Sequence, residues 1–394
     1  MSLFRKKSAP GEKPSPLELD ETGILDVPYL VLTVLLVSIG VLMMFSASYA
    51  RSYYDTGNSA YYFVRQAIFA VGGILVMILV GRLNYFIWYR LAVPILAASV
   101  VLLGVLLLHI PGICVTRNGA TRWIKIGIEF QPSEIAKLGM ILTFGAMMAA
   151  WQDRMHTFLQ GVLPFVLIMV LLAVLLYFEP HLSATLIIFM VGATMMLIGG
   201  TRKYWFVLGI AVVAVFLLFY LKKAGYASNR ITAFLHPEDD PRGVGYQGIQ
   251  SRYAIGSGGL LGLGFGKSRQ KYLYLPEGHN DYIFAIVCEE LGFIGALGVL
   301  LLFVMLILRG YWIALHARDR FGTLVAAGFT TKLATQVFFN IGVVSGLLPP
   351  TGISLPFFSY GGTALLLQMF EMGVVLSISR WCVNKEAAAQ RRNT

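Results

Sequence analysis

The chain has 394 residues, 57% of them hydrophobic and only 13% charged, with a formal net charge of +11 and a mean hydropathy of +0.72. A soluble domain carries about 25% charged residues, so that class is excluded. The apolar runs do not alternate with polar residues, which excludes the strands of a membrane barrel. Cys114, Cys288 and Cys382 are too few and too scattered for a disulfide frame or a zinc site.

Runs of about 20 apolar residues recur, each long enough to cross a bilayer. Helices alone satisfy their backbone hydrogen bonds within one such segment. The sequence therefore reads as an all-α integral membrane protein of about ten transmembrane helices. Residues 1–27 form a polar N-terminal tail with Arg5, Lys6 and Lys7. The first apolar run shows no cleavage site and is too long for a signal-peptide core, so it is kept as the first span. Spans are expected at 28–50, 62–81, 85–109, 134–151, 158–177, 182–200, 204–221, 283–308, 326–348 and 358–379. The membrane domain thus covers 28–381, and 382–394 form a second tail. With the N-terminus inside, about half of the 31 basic residues fall in cytoplasmic segments, which places both tails in the cytoplasm. Much of the net charge is this orientation signal and needs no nucleic-acid partner.

Two outer segments break the pattern. Residues 110–133 carry Arg117, Arg122 and Lys125 against Glu129 alone. Residues 222–282 form a long connection between spans seven and eight, with basic residues that include Arg230, Arg242, Lys267, Arg269 and Lys271. Connections of that length are functional or disordered. This one holds Phe234, Tyr246, Tyr253, Leu260, Leu261, Tyr272 and Tyr274, so an ordered extracytoplasmic loop is expected. Basic groups on that face suit anionic headgroups or the diphosphate of one lipid.

Asp281 closes this loop at the start of span eight. It is placed to cap the helix, and also to act as a general base at the membrane surface, provided an acceptor hydroxyl comes within hydrogen-bond reach. The two roles are compatible. Glu134 and Lys137 lie one turn apart at the start of span four, behind Pro132 and Ser133. They either pair to tolerate the membrane or shape a polar cavity, because charges within spans tend to mark function. Arg65, Lys332, Glu371, Glu289 and Glu290 belong to the same class. The run Gly256–Gly266 resembles a phosphate cradle but lacks the P-loop spacing and the strand before it; turn formation explains it better. Segment 345–364 is uncharged and rich in proline and glycine. Backbone of that kind at membrane depth has to be covered by protein or line a cavity, so a turn folded back among the helices is expected. His279 and His181 have no metal-ligand spacing around them.

Taken in order, the motifs resemble one family. They are Arg65-Gln66, Gly119-Ala-Thr-Arg-Trp123, Gln131-Pro-Ser-Glu-Ile-Ala-Lys137, Gly245-Tyr-Gln247, Ile255-Gly-Ser-Gly-Gly259, Leu275-Pro-Glu277, His279-Asn-Asp281, Glu289-Glu-Leu-Gly292, Asn340-Ile-Gly342 and Leu355-Pro-Phe-Phe-Ser-Tyr-Gly-Gly362. With these the chain resembles the SEDS proteins, which group FtsW, RodA and SpoVE. The run Gly264–Lys271 and Gln336 bring it nearer FtsW and SpoVE than RodA. Two departures stand out. Pro180-His181-Leu182-Ser183 replaces the usual Pro-Asp-Leu-Gly, and His279-Asn280-Asp281 replaces His-Thr-Asp while keeping the carboxylate.

The resemblance implies a peptidoglycan glycosyltransferase that polymerises lipid II on the outer face of the cytoplasmic membrane. Its partners would be a class B penicillin-binding protein and other division proteins. Asp281 would be the catalytic carboxylate, and Arg65, Glu134 and Lys137 would line a polar cavity. His279 stands in the same motif. Arg117, Arg122, Lys125, Arg230 and Arg242, with or without a divalent cation (Mg2+ or Mn2+), would stabilise the departing diphosphate. Two rival readings are a flippase for the lipid-linked precursor and a non-catalytic division scaffold.

Overall fold

A computed structural model describes residues 23–117, 120–207, 209, 234–241, 243 and 245–382. Most of both tails, most of the expected seventh span, Arg230 and Arg242 lie outside the described residues. The long helices are α1 (Val27–Thr56), α2 (Tyr61–Arg82), α3 (Phe86–Leu107), α4 (Pro132–Ala150), α5 (Leu163–Phe178), α6 (Leu182–Gly199), α7 (Tyr246–Gly258), α8 (Ile283–His316), α9 (Arg320–Val344) and α10 (Gly362–Ser379). Every expected span except the seventh coincides with one of them. Among the described residues, seven helices are long and apolar enough to cross a membrane. Helix α5 is shorter, with 16 residues.

Local chemistry sets the boundaries. Asp26 caps α1 by accepting a hydrogen bond from Tyr29 N at 2.9 Å, and Pro28 stands in its first turn. The helix runs on to Thr56, beyond the expected end at 50, and Arg51 pairs with Asp55 one turn later at 2.8 Å.

Helix α4 shows how burial and composition go together. It is the least hydrophobic of the seven, yet most of it is buried, whereas α2 and α3 are largely exposed. A helix wrapped in protein is spared contact with lipid, so Ser133, Glu134, Lys137 and Thr143 are tolerated on it. Around α4 pack α3, α6 and α9, while α2 lies along α10. Gly73 faces Met369, and Gly373 faces the Met77 backbone, which allows the close approach common between membrane helices.

The all-helical expectation needs one addition. Between α3 and α4 lies a three-stranded antiparallel sheet: β1 (Cys114–Arg117), β2 (Ala120–Ile126) and β3 (Ile128–Phe130). Thr116 and Thr121 pair across β1 and β2, their hydroxyls 2.7 Å apart.

Span eight also differs from a simple rod. Helix α8 breaks at Gly292, whose φ is 69°. At a break the carbonyls of Glu289 and Glu290 lose their usual donors, the amides of Phe293 and Ile294. The loop after α7 replaces both halves of the exchange. Leu263 N donates to Glu289 O at 2.9 Å, and Gly264 N donates to Glu290 O at 3.0 Å. In return Phe293 N donates to Gly259 O at 2.9 Å, and Ile294 N donates to Leu260 O at 3.2 Å. Four backbone groups of a membrane helix that the break would leave open are thereby satisfied. Only glycine fits where the two backbones meet. A Cβ at Gly292 would lie 2.6 Å from Leu260 O and overlap Gly262 N.

Gly292→Ala is expected to cost at least about 2 kcal/mol, because it adds both a clash and an unfavourable φ. Gly298→Ala, in the same helix with open space around it, is expected to be neutral. Thermal unfolding of both variants in detergent checks the pair. A Gly292→Ala protein as stable as the parent would mean that the hydrogen-bond exchange is absent.

Candidate active site

Asp281 stands in the turn before α8. The helix is capped by Tyr282, so neither Asn280 nor Asp281 takes the N-cap position. Instead the backbone here is held from elsewhere. The carbonyls of His279, Asn280 and Asp281 accept, in order, from Tyr360 N at 3.0 Å, Ser359 Oγ at 2.8 Å and Asn340 Nδ2 at 2.7 Å. Asn340 also donates to Ile353 O at 2.8 Å. Segment 345–364 does fold back among the helices: Ile353, Leu355, Phe357 and Phe358 are buried. Gln66 on α2 closes it by donating to Ser359 O at 3.2 Å and accepting from Gly361 N at 3.2 Å. The Asp281 carboxylate lies against Gly352: Oδ2 is 3.3 Å from where a Cβ would stand there, and Ser183 Oγ reaches the same point at 3.9 Å. Ser183 in turn donates to Thr351 O.

The loop leading to Asp281 is folded around two carboxylates. Glu290 accepts from Gly266 N at 3.0 Å, Ser268 N at 3.1 Å and Ser46 Oγ at 2.6 Å, and pairs with Lys271 at 3.1 Å. Glu289 accepts from Arg269 N at 2.9 Å and from Ser268 Oγ. The glycine-rich run itself is turns, as expected, and its last amide, Gly266 N, joins those of Ser268 and Arg269 around the two carboxylates.

A second charged cluster lies inside the bundle. Lys137 pairs with Glu134 at 2.5 Å, Lys332 with Glu371 at 2.6 Å, and Lys332 also with Glu134 at 3.3 Å. The first pair follows from its spacing in the sequence. The second comes from α9 and α10, far apart in the chain. A cavity of about 40 Å3 adjoins the cluster, lined by Glu134, Gln336, Gln368, Ser359 and Tyr360 among others. Gln336 Oε1 and Gln368 Nε2 have no protein partner, and a space of this size admits water. A larger cavity, of about 150 Å3, lies between Tyr85, Asp319 and Trp381. None of the sequence-predicted site residues lines it.

The turn between α5 and α6 joins the sheet to this region. Arg122 on β2 donates to the carbonyls of Glu179 and Pro180. The His181 ring lies 3.3 Å from Gln131 Nε2. Burial, with Arg122 and Lys137 nearby, pushes His181 down to about 3, so the imidazole is neutral. Glu179 was not singled out in the sequence, yet it is only 2% exposed and its carboxylate oxygens have no hydrogen-bond partner. Burial pushes its carboxyl up to about 8 against the pull of Arg122.

The remaining predicted residues are spread out. Arg65 is exposed and not among the residues lining the small cavity; its guanidinium lies 5.8 Å from the Tyr61 ring and donates to the Tyr61 hydroxyl at 3.3 Å. His279 stacks on Tyr62 at 5.7 Å, and burial holds its imidazole below the usual range. Lys125 is exposed on β2, paired in register with Glu129. The Arg117 side chain lies outside the described residues. Among the described residues no three His, Cys, Asp or Glu side chains gather at one point.

Lys332→Met would leave Glu371 and one oxygen of Glu134 buried without their cation. A loss of about 3–5 kcal/mol is expected, with partial recovery when Glu371→Leu is added; thermal unfolding of the single and double variants measures it. Glu179 gives a pH signature. Its folded value, about 8, lies above the ordinary 4.5, so the folded protein keeps a proton that the unfolded chain releases. Its contribution to stability is therefore full below about 4.5, falls as pH rises towards 8, and levels off above. Unfolding temperatures across this range should decline less steeply in Glu179→Gln than in the parent.

The family profile described as cell cycle protein, covering FtsW, RodA and SpoVE, matches residues 27–383. The probable peptidoglycan glycosyltransferase FtsW of Trichlorobacter lovleyi is 40% identical over 356 residues, 90% of this chain and 93% of that protein. Stage V sporulation protein E of Bacillus subtilis is 40% identical over 358 residues, 90% of this chain and 97% of that one. A solved chain from a peptidoglycan synthase complex that coordinates polymerization and crosslinking superposes with a TM-score of 0.75 at 28% identity, covering 90% of this chain and 98% of its own. The chain belongs to the FtsW/RodA/SpoVE family of multi-pass membrane proteins.

Proposed function

We propose that this protein is a peptidoglycan glycosyltransferase that polymerises lipid II on the outer face of the cytoplasmic membrane, with Asp281 as its general base. The names of its relatives support the activity. The observation that carries the role of Asp281 is the clamp on three successive carbonyls, 279 to 281, from α9 and the segment before α10. A base must be held where an acceptor hydroxyl can meet it, and a turn fixed from outside its own helix supplies that.

In this reading Asp281 takes the proton from the C4 hydroxyl of an acceptor GlcNAc. The freed oxygen attacks C1 of the donor MurNAc, the bond to undecaprenyl diphosphate breaks, and inversion gives a β-1,4 link. Arg122 and Lys125 on the sheet are cationic groups suited to a departing diphosphate, and Arg117, Arg230 and Arg242 carry the same charge in the sequence. Both lipid-linked substrates are confined to the membrane, which favours their encounter. Both termini are cytoplasmic in this orientation, as the basic residues of the short loops favour. The solved relative's place in a complex that polymerises and crosslinks supports a class B penicillin-binding protein as partner.

The purified chain with such a partner, its transpeptidase blocked, is expected to convert labelled lipid II in liposomes into glycan ladders. Asp281→Asn should lower the rate by about 100-fold or more while staying folded and partner-bound. Ladders of undiminished rate from that variant would remove Asp281 from the role of base.

A further inference from the structure

Five helix ends meet on the side of the bundle opposite Asp281. There α2 stops at Arg82, α3 begins at Phe86, α8 stops at His316, α9 begins at Arg320 and α10 stops at Ser379. Helices α2, α3 and α10, of 22, 22 and 18 residues, are each about one bilayer long. Their meeting ends therefore stand at the depth of lipid headgroups. Among them lies the cavity of about 150 Å3, far more space than a single water needs.

The walls of this cavity are chemically mixed. Three aromatic rings, Tyr85, Phe86 and Trp381, share it with the Asp319 carboxylate, the Arg318 guanidinium and Asn84. The Tyr85 and Trp381 rings stand 6.4 Å apart, close to edge on. The Tyr85 hydroxyl donates to one oxygen of Asp319, and Gly322 N donates to the other at 2.9 Å. These bonds fix the carboxylate and leave it lone pairs for a further donor. Arg318 is exposed at the rim, with its guanidinium 5.8 Å from the Trp381 ring.

A simple anion would meet Asp319 here, and a simple cation would meet Arg318. A zwitterion with its two charges a few atoms apart suits both. Aromatic rings beside a carboxylate hold an ammonium group, and a guanidinium holds a phosphate. The headgroup of phosphatidylethanolamine is such a zwitterion, and it is presented at this depth. We propose that the cavity binds the headgroup of one phosphatidylethanolamine, with the ammonium against Asp319 and the rings and the phosphate on Arg318. The site is separate from Asp281 and does not depend on the reaction assigned there.

The test uses the full chain in detergent, mixed with equal amounts of dioctanoyl phosphatidylethanolamine and dioctanoyl phosphatidylglycerol and weighed intact by native mass spectrometry. One phosphatidylethanolamine per chain is expected to be retained, favoured over phosphatidylglycerol by about threefold or more. Arg318→Gln should erase that preference. Phe86→Ala should weaken it as well, by removing a wall without changing charge, so one variant still reports if the other does not fold. Lys203→Gln, at an exposed site outside the cavity lining, should keep it. Equal retention of the two lipids by the parent would overturn the site, as would a preference unchanged in both cavity variants. Free phosphoethanolamine bound as well as the lipid at equal concentration would overturn the lipid as the occupant.

Discussion

Much of this structure depends on the exchange of backbone hydrogen bonds at Gly292. A membrane helix cannot leave carbonyls and amides open in apolar surroundings. The break in α8 is tolerable because the loop after α7 takes over two donors and two acceptors. That fixes the loop's path, which brings the amides of Gly266, Ser268 and Arg269 onto Glu290 and Glu289. Glu290 also seats Lys271 and Ser46. From there the chain has only a short way to run to Asp281. A single non-helical residue thus orders the loop and, through it, one approach to the candidate catalytic carboxylate.

The other approach comes from the far side. Asn340, Ser359 and Tyr360 hold the turn at 279–281, while Gly352 lies against the carboxylate and Ser183 approaches Gly352 from the same side. The connection at 179–183 continues outward to Arg122 and the sheet. Residues from α2, α6, α9 and the segment before α10 converge on this turn, although they are widely separated in sequence.

Sequence reasoning reached the parts carried by local pattern. Apolar runs located every described span, Pro132 and Ser133 marked the start of α4, and the spacing of Glu134 and Lys137 announced their pairing. Lys332 and Glu371 were recognisable as unusual charges. That each is the other's partner depends on how α9 and α10 pack, which no spacing reveals. The break at Gly292 was hidden because hydrophobic residues continue on both sides of it, so span eight read as one rod. The run Gly256–Gly266 reads as turns and ends in turns; that the amides just after it, with Gly266 N, wrap carboxylates of a later helix is not visible in the sequence. Glu179 gave no signal, since an acid at the edge of a span ordinarily faces water, and only the fold buries it. The small sheet escaped because its alternating stretches are short beside the helical runs around them.

The break in α8 has a mechanical consequence. Spans adjust to bilayers of different thickness by tilting. In an unbroken rod, such a tilt would swing Asp281 along with the helix. Here the long part of α8 is jointed at Gly292 to a short stub buried in protein, and the turn beyond that stub hangs from α9 and the segment before α10. Changes in membrane thickness can then be absorbed below the joint. The carboxylate keeps its registration with the rest of the site while the lipids around it vary.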